Sequence, residues 1–139
     1  MKYFLCFFVI LFVGCTHPKP SKEEIIGTWV SSDGAIIVFK QNAKAAVIDF
    51  PLDIQDIKKG VINGDARWII ENRKSITPFW GIDISISSNL SSDKEKGTRE
   101  LLLVSRSGLG GSDSKITSLF LWIGDPDLDE RYEFHRLLD

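Results

Sequence analysis

The chain has 139 residues, 43% of them hydrophobic and 26% charged, with a net charge of −2. That balance describes one small globular domain and excludes a disordered chain. No basic stripe is present to follow a phosphate backbone, so nucleic acid is not an expected partner.

The first element in chain order is a targeting segment. Met1-Lys2 carries one positive side chain, and Tyr3 through Val13, "YFLCFFVILFV", is free of charge. A spanning helix needs about 20 apolar residues, so this run is too short to anchor the chain by itself and predicts a secretory signal peptide over 1–14. Cys15 follows Gly14 directly. The stretch Leu11-Phe12-Val13-Gly14-Cys15 resembles a bacterial lipobox, with Phe12 where leucine is commonest. The resemblance implies a diacylglyceryl group on the Cys15 thiol, cleavage before that residue and acylation of the new amine, palmitate being a typical chain. An ordinary signal peptide with an incidental cysteine is the alternative.

Cys6 would leave with the signal peptide, so the mature chain would hold no disulfide and would depend on its core alone. Two or three acyl chains anchor stably where one would be marginal. Thr16, rather than Asp, follows the cysteine; in Gram-negative lipoproteins that resembles the class sorted to the outer membrane, facing the periplasm. Residues 15–22, including "THPKPSK", are expected to be the lipidated cysteine and a short polar tether.

The domain proper is expected over 23–139 and reads mostly as strand. Ser21 to Glu24 has capping-box spacing, predicting one helical turn before the first strand. Three apolar runs from Ile25 to Pro51 are separated by "SSDG" and "QNAK", both turn chemistry. Leu52, Ile54 and Ile57 fit neither helix nor strand period well, and Asn63-Gly64 predicts a hairpin joining a short strand to "DARWIIEN". "WGIDISIS" alternates as a half-buried strand, and "RELLLVS", "TSLFLWI" and "RYEFHRL" complete the set. The total is eight strands, or nine with the short one before Asn63. With no run long enough for a crossover helix, the expected fold is all-β: an antiparallel up-and-down barrel of about eight strands.

Gly27-Thr28-Trp29 in the first strand resembles the opening G-x-W of lipocalins and related calycin barrels, although the family's T-D-Y-type middle turn is missing. The resemblance implies that Trp29 plugs one end and that an Arg of the last strand packs across its ring. Arg136, in phase with Tyr132 and Phe134, is the first choice and Arg131 the second. A guanidinium over an indole gains cation–π energy, which gives the pairing its physical reason. The C-terminal stretch "LFLWIGDPDLDERYEFHRL" also resembles small uncharacterised bacterial envelope proteins.

Little in the chain suggests chemistry. Asp125, Asp127 and Asp129 alternate like the start of a calcium loop, but Glu130 and Arg136 stand where glycine and glutamate are needed. The two histidines are His17, in the tether, and His135, on the phase opposite Tyr132 and Phe134. Neither a nucleophilic triad nor a zinc site can be assembled from them, and Gly108, Gly110 and Gly111 do not open a helix that would cradle phosphate. No enzyme, metal or cofactor is expected.

Trp68, Trp80 and Trp122 either line a pocket for a small apolar ligand or fill the barrel as core. The expected function is a non-catalytic binding role at the cell envelope, with a small apolar ligand as cargo. The alternative is a protein-interaction module such as a periplasmic inhibitor or immunity protein, working through loops 88–98 and 107–116.

Overall fold

The structure, a computed structural model, describes residues 17–72, 79–87, 98–107 and 114–138. Cys6, Cys15, Gly108, Gly110 and Gly111 lie outside them, as do most of the two expected interaction loops.

One helical turn, α1 (Lys22–Ile25), precedes eight strands: β1 (Gly27–Ser31), β2 (Ile36–Phe39), β3 (Lys44–Pro51), β4 (Val61–Asn72), β5 (Trp80–Ile86), β6 (Thr98–Arg106), β7 (Ile116–Trp122) and β8 (Arg131–Arg136). Each strand pairs antiparallel with the next, and β8 returns to β1, closing an up-and-down barrel. Closure pairs the two outer strands with each other over Trp29–Ser31 and Phe134–Arg136, which is how a small all-β domain limits edge-to-edge association.

α1 forms because its capping box is complete. The Ser21 hydroxyl accepts from the Glu24 amide at 3.2 Å, and the Glu24 carboxylate accepts from the Ser21 amide at 2.8 Å. Alternation in the strands turns one apolar phase inward. Trp29, Ile37, Phe39, Val47, Phe50, Ile62, Trp68, Ile82, Ile84, Leu102, Val104, Leu119, Leu121, Tyr132 and Phe134 belong to a single buried cluster to which all eight strands contribute. Its rings are in contact: Phe50 stacks on Phe134 at 5.8 Å between centroids, and Phe39 meets Trp68 edge-on at 5.3 Å.

One sequence expectation is corrected. Asn63-Gly64 is not a hairpin turn but lies within β4, so the short strand and "DARWIIEN" are one element and the count is eight. The pair serves a β-bulge instead. Between the partners Val47↔Gly64 and Phe50↔Ile62, β3 has Ile48 and Asp49 where β4 has only Asn63. Asp49 takes a positive φ of 51°, and its amide donates to Asn63 Oδ1 at 2.8 Å. Gly64 is needed because a Cβ there would sit 2.5 Å from the Ser87 carbonyl oxygen. The irregular stretch that follows Pro51 holds a 3-10 turn at Ile57–Lys59.

Candidate functional site at the strapped end of the barrel

β1 starts at the end of the barrel crossed by the N-terminal residues. From 17 to 26 these form a strap that touches β5 first and β1, β6 and β8 last. His17, expected in a tether, accepts through its carbonyl from Trp80 Nε1 at 3.1 Å, and its ring stacks on Phe79 at 6.4 Å. Lys19 Nζ lies 5.9 Å from the Trp80 ring, and Pro20 is buried.

At the far side of the strap, Trp29 is fully buried and donates from Nε1 to the Ile25 carbonyl at 2.8 Å. Arg136 lies over the Trp29 ring at 5.8 Å and donates to the carbonyls of Glu24 at 3.0 Å and Ile26 at 2.5 Å. Gly27, at φ 138°, makes room: a Cβ there would meet Arg136 Nη2 at 3.0 Å. The structure therefore brings Gly27, Trp29 and Arg136 together around the last turn of α1.

A second arginine, which the sequence reading did not single out, ties the strap from β6. The Arg106 side chain is 3% exposed and forms a forked pair with the Glu24 carboxylate at 2.8 and 2.9 Å, while also donating to the Ser114 carbonyl at 2.7 Å. The Arg106 hydrogen bond holds the Glu24 carboxyl below its ordinary value, against a smaller opposing effect of burial.

The remaining tryptophans do not share one cavity. Trp68 is buried, with its indole N–H directed to the carbonyls of Lys40 and Lys44 at 3.2 and 2.9 Å. Trp80 is at the strap. Trp122 is on the outer wall, edge-on to Phe120 at 5.1 Å and to Phe79 at 6.4 Å. Arg131 does not reach Trp29; its guanidinium covers Phe120 at 4.4 Å and Trp122 at 5.0 Å. A groove of about 550 Å³ separates the strap from β4, lined by Lys19, Pro20, Lys22, Trp68, Ile69 and Ile70 among others.

The opposite end has a different character. Tyr132 donates to Asp33 at 2.6 Å and to Ser31 at 3.2 Å, and Ser31 also donates to Asp33, tying the β1–β2 turn to β8. Burial and the Asp33 charge raise the Tyr132 pKa; despite its own partial burial, Asp33 is held low by the Ser31 and Tyr132 hydrogen bonds. Glu100 pairs with Ile84 and alternates with Leu102 and Val104, on the inward phase of β6, and burial raises its pKa. That alternation was the sequence signal for an inward carboxyl. This end exposes Leu52, Ile57 and Leu128 on its connections, the last at 67%, and Val61 at the start of β4.

Asp125 caps a 3-10 turn by accepting from the Asp127 amide at 3.0 Å, and Asp129 pairs with Arg131 at 2.7 Å. His135 is exposed, with Nε2 3.3 Å from Glu133. Among the described residues no group of three or more His, Cys, Asp or Glu is placed to hold a metal ion. No protein-family model matches the chain, and no curated protein or solved structure matches it either.

Proposed function

We propose that this chain is a bacterial lipoprotein with a non-catalytic binding role at the cell envelope, acylated at Cys15, held at the outer membrane and facing the periplasm. Its partner is a protein that meets the outside of the barrel, as a periplasmic inhibitor or immunity protein meets its target. The observation that carries this choice is the interior: side chains from all eight strands pack there as one core, with stacked and edge-on rings across it. A packed core supports a scaffold that works through its surface. Leu52, Ile57, Val61 and Leu128 are left exposed at the end away from the strap, which supplies apolar contacts for such a partner. Gly124 on the β7–β8 connection approaches Gln55 on the β3–β4 connection, bringing the two segments side by side.

A second reading has its own observation. The groove between strap and β4 has an apolar floor of Trp68, Ile69 and Ile70 and two lysines, Lys19 and Lys22, at its margin. A small apolar or amphiphilic ligand fits that chemistry.

Native mass spectrometry of the domain beginning at Thr16, purified from envelope extract, separates the two. The protein-partner reading expects a clean apo mass, and a reproducible added mass of a few hundred daltons overturns it in favour of the ligand. Anchoring is tested by Cys15→Ser, expected to abolish labelling by a fatty-acid analogue and to leave uncleaved precursor; undiminished labelling rejects the anchor.

A further inference from the structure

His17 is the place where the strap meets the barrel, and Cys15 precedes it by two peptide units. Consecutive Cα atoms are about 3.8 Å apart, so two peptide units reach no further than about 8 Å. His17 is held both at its carbonyl, by Trp80, and at its ring, by Phe79. An anchor on Cys15 is therefore joined to the barrel through two peptide units that end at a residue fixed on Trp80 and Phe79.

The wall at that point is unusual for the outside of a barrel. Leu103 and Phe120, on the outward phases of β6 and β7, are 3% and 0% exposed. Phe79 covers Phe120 edge-on at 5.2 Å, and Trp122 extends the aromatic surface; Phe79 and Trp122 themselves stay half-buried. Cations stand at the margin: Arg131 over Phe120 and Trp122, and Lys19 against Trp80. Of the nearby carboxylates, Asp129 pairs with Arg131 at 2.7 Å, Asp83 pairs with Arg99 at 2.6 Å, and Glu133, opposite Phe120, lies 3.3 Å from His135 Nε2. Amphipathic aromatic rings with Lys and Arg beside them are the composition that settles at a bilayer interface.

We propose that this wall, from Phe79, just before β5, to Trp122 on β7, is the face that lies against the bilayer, with Lys19 and Arg131 meeting anionic headgroups. The inference rests on the acylation of Cys15 proposed above and adds an orientation to it. The barrel lies on its β5–β7 side, and the β2–β3 side, four strands away from β7 at β3, points into the aqueous space.

Because the acylated mature chain has no free thiol, one introduced cysteine can carry one fluorophore. Ser105→Cys and Trp122→Cys place it on the proposed wall, the first with little change of volume, and Ile48→Cys places it on the exposed outer face of β3. The lipidated protein is reconstituted in vesicles of phosphatidylethanolamine with a minor fraction of phosphatidylglycerol, containing a shallow spin-labelled lipid. Quenching several-fold stronger at 105 and 122 than at 48 is expected. Equal quenching at all three, or stronger quenching at 48, with acylated Cys15 verified by mass spectrometry, overturns the orientation and leaves the anchor standing. Absence of any acyl group on Cys15 overturns both.

Discussion

Trp29 is held by three kinds of contact at once: burial of its rings, a hydrogen bond from its N–H to Ile25, and the Arg136 guanidinium across its face. Truncation removes all three and opens a void that the strap cannot fill by itself. Trp29→Ala should cost about 3–5 kcal/mol, the range for deleting a large buried aromatic; urea denaturation measures it, and a loss below about 1 kcal/mol would rule out the plug. Two glutamates give opposite pH signatures. Glu24 has a depressed pKa, so its contribution is fully present above the ordinary value of 4.5 and is lost as pH falls through the folded value. Glu100 has a raised pKa, so it imposes a penalty that is absent below 4.5 and complete above the folded value. At pH 7, Glu24→Gln should lower Tm and Glu100→Gln should raise it. Both differences should shrink in melts below pH 4.5.

At the scale of the element, the strands were legible because one face of each is buried and the side-chain period is two. "GIDISI" became β5 with Ile82, Ile84 and Ile86 inward, and the absence of a crossover helix left an antiparallel meander as the simple topology. Asn63-Gly64 misled because the local chemistry is ambiguous. Asn can accept from an amide and Gly can pass close to a neighbouring backbone in a bulged strand as well as in a hairpin. Gly64→Ala should therefore destabilise by about 1–3 kcal/mol through overpacking against the Ser87 carbonyl, although Ala is no worse than Gly in an ordinary strand. A thermal melt unchanged by the substitution would contradict that close approach. The Glu24–Arg106 tie was not legible at all. The residues are 82 positions apart, and no period links a charge on a helical turn to a charge at a strand end. The division of Trp68, Trp80 and Trp122 among core, strap and outer wall was equally hidden, since it depends on where each strand starts rather than on the residue type.

At the scale of the whole molecule, one core, one strap and a closed sheet make a single cooperative unit. Urea unfolding of residues 16–139 should give coincident transitions by tryptophan fluorescence and far-ultraviolet circular dichroism, because Trp29 and Trp68 report on the core, Trp80 on the strap and Trp122 on the wall while the dichroism reports on the barrel. An earlier fluorescence transition, absent in Trp80→Phe, would mean that the strap releases before the barrel opens. A side-on anchor and an exposed apolar end would let the same small domain meet a membrane and a protein partner on different surfaces.

The seam between β1 and β8, with Trp29 opposite Arg136 and Val30 opposite His135, also sets a schedule. The first strand made cannot gain its second neighbour until the last one exists, so every incomplete, ribosome-bound length of chain has two open edges. Long-range closure of this kind carries a loop-entropy cost and slows folding. For the exported lipoprotein proposed above, that delay is an advantage, because a chain that closes late does not fold tightly enough to jam in transit. The same schedule makes truncation unforgiving: a product ending before Arg131 is not a smaller barrel but an open sheet with two sticky edges.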